Sequence, residues 1–317
     1  MNSPPVVQPF ALLFPGQGAQ FVGMGKDLAK EFLPSKALFE EADQLLGFAL
    51  STLCWEGPQE LLTRTENCQP ALYVTSLAAF AAFQSAICNL KSEMTGVAAA
   101  GLSLGEYTAL VAAGALSFQD GLRLVRFRGQ AMEEASRKSP GRMASVLGLG
   151  LEVLEAVCQE TGAQVANVNC PGQLVISGLP ESIQAASERA MEKGAKRVVT
   201  LEVGGAFHSR LMEPAGAELK KALESVEVSE PRIPVISNVT GSAYTRSSQI
   251  RTLLVEQLTR PVLWEACMRT LLSDGIRTFL EVGPGTVLKG LLRRIDPEAT
   301  VLSVGTADQV RTLRHGA

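Results

Sequence analysis

Val97-Ala-Ala-Ala-Gly-Leu-Ser-Leu-Gly-Glu-Tyr-Thr-Ala-Leu110 joins a small apolar run to a helix-like one through Gly101-Leu-Ser-Leu-Gly105. Val97 to Ala100 reads as a strand and Tyr107 to Ala115 as a helix. G-x-S-x-G at such a junction is the spacing that a nucleophilic serine needs. The backbone turns sharply and packs tightly there, so the positions two before and two after the serine must be small. The turn lifts the Ser103 hydroxyl clear of the sheet and aims the N–H of Leu104 at a developing oxyanion. The same five residues also suit an ordinary strand–turn–helix junction. The strand before them and the helix after them favour the nucleophile.

The histidines sharpen this reading. A serine nucleophile usually works with a base, most often His. The chain has two histidines, His208 and His315. His315 falls among the last three residues, where disorder is expected. His208 sits in Gly204-Gly-Ala-Phe-His-Ser209, after an expected strand over Arg197 to Val203. The alternative for His208 is a surface or capping role.

Working outward, the segments alternate between strand and helix. Phe10 to Phe14 is an apolar strand, followed by the turn Pro15-Gly-Gln-Gly-Ala-Gln20. That turn lacks the lysine and hydroxyl of a phosphate loop. It reads instead as backbone N–H groups able to complete an oxyanion hole with Leu104. Ser35 to Glu66 is helical and mixed in polarity. Gln69-Pro70 opens a long buried helix reaching Leu90, with Pro70 in its first turn. Residues 140 to 203 change texture, with strands and helices in the order βαββαβ, the split ferredoxin-like arrangement. Further strands are expected over Ile233 to Ser237 and Thr278 to Val282, with helices over Met212 to Val226, Ile250 to Leu258, Val262 to Leu272 and Thr286 to Arg294. Strand–turn–helix units on both sides of the insert imply an α/β fold with one mainly parallel sheet. The division is residues 1–139 and 204–317 as the large domain and 140–203 as the small one.

Bulk properties exclude several classes. A net charge of −3 argues against nucleic acid as a main partner. The six cysteines are scattered without a C-x-x-C pair, and two histidines leave no zinc constellation. Buried thiols in a reducing compartment are expected. The first basic residue is Lys26, so no signal peptide is expected. Gln69 to Leu90 is uncharged, but its Gln, Thr, Ser and Asn residues suit a buried helix better than a membrane span. A cytoplasmic monomer is expected, or a resident of an organelle lumen after loss of a transit peptide.

The helix expected over Gly121 to Glu134 holds one cation out of place. Leu122, Val125, Gly129 and Met132 share an apolar arc, and Arg128 lies inside it. A buried arginine needs an anion. A buried Asp or Glu supplies it on one reading, a substrate carboxylate on another.

Phe14-Pro-Gly-Gln-Gly-Ala-Gln20, Gly101-Leu-Ser-Leu-Gly-Glu-Tyr107, Arg128-Gly129, Ala206-Phe-His-Ser209, Pro234-Val-Ile-Ser-Asn238 and Glu281-Val-Gly-Pro-Gly285 together resemble the malonyl-CoA:acyl carrier protein transacylase family. The resemblance spans about residues 10 to 305. It implies an α/β-hydrolase-like large domain with a ferredoxin-like insert, and ping-pong acyl transfer. Ser103 would carry the malonyl ester and His208 would be base and then acid, oriented by the carbonyl of Gln257. The N–H groups of Gln17 and Leu104 would hold the oxyanion. Arg128 would pair with the malonyl carboxylate, with Gln69 in the same pocket. The partners implied are malonyl-CoA and acyl carrier protein, with no cofactor and no metal. Leu102 stands where the family usually has His. Phe207 resembles malonyl-selective members. Asn167 and Asn169 are expected in the acceptor cleft.

Other readings share some of these residues. A trans-acting acyltransferase of a polyketide synthase would use the same chemistry on another carrier. A serine thioesterase or esterase would keep Ser103 and His208 but has no need of a buried Arg128. A carrier-binding module without activity would need none of them.

Overall fold

The computed structural model describes residues 9–87 and 97–315. Among the described residues nine strands form two sheets: β1 Phe10–Phe14, β2 Val97–Gly101, β3 Arg142–Leu147, β4 Gln164–Cys170, β5 Gln173–Gly178, β6 Arg197–Thr200, β7 Val235–Ile236, β8 Thr278–Val282 and β9 Thr300–Val304. The larger sheet has the order β7-β2-β1-β8-β9, and every neighbouring pair is parallel. β1 and β2 are buried along their whole length, as continuous apolar strands covered on both faces should be. Alternate residues of β1 serve opposite faces. Phe10, Leu12 and Phe14 join one apolar cluster, while Ala11 and Leu13 join another with Trp264 and Leu288.

The second sheet is antiparallel, in the order β4-β5-β3-β6, with the helices Leu151–Thr161 and Pro180–Glu192 packed on a core of its own. This is the ferredoxin-like arrangement, placed between β2 and β7 of the parallel sheet. Its β4 also pairs through backbone with a segment outside both sheets. Val168 N–H donates to Val262 O and Val262 N–H to Ala166 O, each at 2.9 Å, making a parallel bridge between Asn167 and Val262.

Several elements differ from their expected extents. The long helix runs Thr65–Ile87, so Pro70 lies inside it rather than in its first turn. Proline has no N–H to give the carbonyl four residues back. That carbonyl, Glu66 O, accepts from Arg126 Nη1 at 2.6 Å instead. The last residues expected in this helix, 88–90 with Cys88, lie outside the described residues. The strand expected over Ile233 to Ser237 is only Val235–Ile236, at the sheet edge. A ninth strand and a closing helix, Ala307–His315, follow beyond the expected elements, and His315 lies in that helix rather than in a disordered end. Among the described residues no helix is long and apolar enough to cross a membrane, and the five described cysteines are free and buried.

Candidate active site

β2 ends at Gly101, and the helix Leu104–Ala112 starts three residues later. Ser103 between them has φ 50° and ψ −99°, a backbone state that L-residues rarely hold. The glycines on either side have no alternative. A Cβ on Gly101 would sit 1.9 Å from the Gly105 carbonyl carbon, and one on Gly105 would sit 2.1 Å from Phe14 O. Asn238, just beyond β7, clamps the turn: its Oδ1 accepts from Ser103 N at 2.7 Å and its Nδ2 donates to Gly101 O at 2.8 Å. Leu104 is the first residue of its helix, where an N–H has no intrahelical acceptor.

His208 is 5% exposed and also has positive φ, 56°. Its Nδ1 lies 2.6 Å from the Gln257 main-chain carbonyl. A carbonyl only accepts, so Nδ1 carries the proton and Nε2 has its lone pair free. Ser103 Oγ lies 2.9 Å from that Nε2. Burial, and then the Arg128 charge, lower the His208 pKa to about 4 against the opposing bond to Gln257. The imidazole is therefore neutral near pH 7 and able to take the serine proton.

Arg128 lies on the helix Phe118–Lys138, which Ser117 caps by accepting from Asp120 N at 3.0 Å. It is 1% exposed. Nη1 donates to Gln69 Oε1 at 2.8 Å, and Nη2 to Gln257 Oε1 at 2.9 Å and Ser103 Oγ at 3.1 Å. Its guanidinium carbon stands 5.4 Å from the Tyr107 ring centre. These partners are amide and hydroxyl oxygens, not a carboxylate. Desolvation pulls the guanidinium pKa down from its usual value.

A cavity of about 210 Å³ opens over Ser103. Gln17, Gln69, Leu104, Arg128, Phe207 and His208 line it with the serine, and Gln257 lies beneath, bonded to both His208 and Arg128. Leu102 adds an apolar wall. Asn167, Asn169 and Gln173 bring the antiparallel sheet to the same cavity, and Val287 and Leu291 close another side.

The sequence alone assigns no role to Glu106, Asn238 or Tyr244. Glu106, 1% exposed, accepts from Tyr244 Oη at 2.5 Å, from Asn238 N at 3.2 Å and from Gln257 Nε2 at 2.5 Å. Gln257 Nε2 also donates to Ser103 O at 3.0 Å. Burial raises the Glu106 pKa to about 7, against these bonds. Glu106 and Asn238 stand inside recognisable motifs, but their partners are more than 130 residues away.

A buried Ser–His pair with a guanidinium at the serine can be compared with known proteins. The profile of the acyl transferase domain family matches residues 11–309. The chain is 46% identical over 305 residues to a malonyl CoA-acyl carrier protein transacylase of Bacillus subtilis, covering 95% of this chain and 94% of that one. The chain belongs to the malonyl-CoA:acyl carrier protein transacylase family. Among solved structures, an acyl-carrier-protein S-malonyltransferase from Bartonella henselae superposes with a TM-score of 0.90 at 40% identity, covering 95% of this chain and 97% of that one. A malonyl-transacylase solved with its type II polyketide synthase acyl carrier protein gives 0.91 at 36% identity, covering 97% and 99%. The transacylase family thus spans the fold, insert included.

Proposed function

We propose that the chain moves a malonyl group from malonyl-CoA to the phosphopantetheine thiol of acyl carrier protein, for fatty acid synthesis. Its site fits a ping-pong route. Ser103 Oγ attacks the thioester carbonyl while His208 Nε2 takes the hydroxyl proton. The N–H groups of Gln17 and Leu104 meet the oxyanion. The intermediate collapses, the C–S bond breaks, and the leaving thiolate takes the proton back from His208. The malonyl ester on Ser103 then reacts in reverse with the carrier thiol, His208 accepting the thiol proton and returning it to Ser103. No step calls for a metal or another cofactor.

The observation that carries this reading is Arg128 Nη2 at 3.1 Å from Ser103 Oγ inside a buried cavity. An acyl group on Ser103 would place a terminal carboxylate where the fork can take it, with two parallel N–H···O bonds replacing those to Gln69 and Gln257. A plain esterase gains nothing from this fork. Phe207 narrows the same pocket. On this reading residues 140–203 form the small domain over the acceptor cleft, Asn167 and Asn169 face the pantetheine arm, and residues 1–139 and 204–317 form the catalytic domain. A monomer in the cytoplasm, or in an organelle lumen, suits this work.

Intact mass spectrometry after mixing with malonyl-CoA tests it. One malonyl adduct should appear, map to Ser103, and vanish in Ser103→Ala. An adduct at full occupancy in that variant would end the proposal. The solved relative bound to a polyketide carrier supports a second reading, in which a polyketide carrier protein is the acceptor. Transfer rates from the malonyl-enzyme to fatty acid and polyketide carriers decide between them.

A further inference from the structure

Arg128 is a buried cation met by neutral oxygens, and a buried charge without an anion is costly. The anion is one amide away. Gln257 Oε1 accepts from Arg128 Nη2 at 2.9 Å, and Nε2 of the same amide donates to Glu106 Oε2 at 2.5 Å. The orientation of that amide is fixed by its partners. A guanidinium can only donate, so the amide oxygen faces it and the NH₂ faces the carboxylate. Arg128 and Glu106 are each 1% exposed, so little water screens one from the other.

We propose that Glu106 is the internal counter-ion of Arg128 and a specificity-determining residue: its charge, relayed through Gln257, competes with the malonyl carboxylate for the guanidinium. This rests on the acyl-transfer reading above. The empty site is balanced, one cation against one anion. A malonyl carboxylate makes two anions around one cation. The excess is relieved when Glu106 takes a proton, so malonyl binding and proton uptake are linked. A neutral acyl group brings no charge and should not respond.

The proton is available near neutral pH, because burial holds the Glu106 carboxyl at about 7. The other titratable groups facing it do not change charge there. Tyr107, Tyr244 beyond β7 and Cys267 on the helix Trp264–Ser273 are all raised by burial, and Arg128 stays cationic. Affinity for the malonyl group should therefore rise as pH falls through the Glu106 pKa.

The test uses Ser103→Ala, which cannot be acylated. Calorimetry gives its affinities for malonyl-CoA and acetyl-CoA at about pH 6 and about pH 8. The ratio of the two cancels titration of the coenzyme phosphates. The preference for malonyl should fall roughly three- to tenfold from the lower pH to the higher. In Ser103→Ala with Glu106→Gln it should be high and flat. Malonyl-CoA should draw more protons from the buffer than acetyl-CoA does only in the protein that keeps Glu106. Ser103→Ala with Tyr244→Phe takes one donor from the carboxylate and should move the midpoint to higher pH, which keeps the test open if Glu106→Gln does not fold. A malonyl preference independent of pH, or one whose pH dependence survives Glu106→Gln, overturns the inference. Absence of any malonyl-CoA binding would instead sink the acyl-transfer reading beneath it.

Discussion

Among the described residues, Ser103 and His208 are the two non-glycine residues with positive φ, 50° and 56°, and their side chains meet at 2.9 Å. Both ends of one hydrogen bond are thus held on unfavourable backbone. Such conformations cost on the order of 1–3 kcal/mol each and persist only where the surroundings impose them. Asn238 holds the Ser103 backbone N–H, and the Gln257 carbonyl holds the His208 ring. The strain is matched to a need: the hydroxyl and the imidazole must face each other with little freedom to turn away.

His208→Ala should slow both acylation and transfer by roughly a hundredfold or more. The pKa of about 4 gives the pH dependence its sign. As pH falls through that value the imidazole is protonated and can no longer accept the serine proton. The acid limb of kcat/KM should lie near 4, well below the usual histidine range. Steady-state rates from about pH 4 to pH 8 check this, and an acid limb at the ordinary histidine value of about 6.5 would contradict the buried, neutral imidazole. His315→Ala should leave the rates unchanged.

Arg128→Ala should reduce kcat/KM for malonyl-CoA by roughly 2–5 kcal/mol in transition-state terms, the scale for losing one partner of a desolvated charge pair. Acetyl-CoA should lose far less. Arg128→Lys should restore only part of the loss, because an ammonium cannot offer two parallel donors. Equal losses on both acyl-CoAs would make Arg128 a packing residue and favour a hydrolase.

Gly101→Ala and Gly105→Ala should each destabilise the fold by roughly 1–3 kcal/mol or more, since the added methyl meets backbone that cannot step aside. Gly290→Ala is the control. It lies in the helix Val287–Ile295 with open space around its Cβ position, and should stabilise by about 0.4–1 kcal/mol. Denaturant melts of the three variants give the comparison.

Arg126 and Pro70 should be energetically coupled. Arg126→Ala leaves the Glu66 carbonyl without its donor and should cost about 1–3 kcal/mol. In a Pro70→Ala background the helix can supply its own N–H, so the same change should cost less. A double-mutant cycle with strictly additive effects would show that the carbonyl does not need Arg126.

The sequence spoke most clearly where sterics act over a few residues. Gly101 and Gly105 flank Ser103 because nothing larger fits, and that constraint is local. Arg128 stood out because a cation interrupted an apolar arc. The Glu106–Gln257–Asn238 network did not show, because its bonds join residues from separate elements and no period or spacing marks them. The start of the helix Thr65–Ile87 is hidden for a related reason. Pro70 reads locally as a helix opening, and its tolerance inside the helix depends on Arg126 from another one. Val235–Ile236 shrank because an edge strand has only part of its length paired, whatever its β propensity.

The parallel bridge between Asn167 and Val262 bears on how the molecule melts. β4 is the outer strand of its sheet, and part of its free edge is paired by a segment of the other domain. Val262 lies five positions beyond Gln257, whose carbonyl orients His208. The insert is therefore stitched into its host next to the carbonyl that orients the histidine, besides at its two chain crossings. Cutting out the ferredoxin-like unit would strand the N–H groups of Val168 and Val262 in both pieces. Heating should accordingly give one unfolding transition rather than two, with the amides of Val168 and Val262 exchanging their protons together.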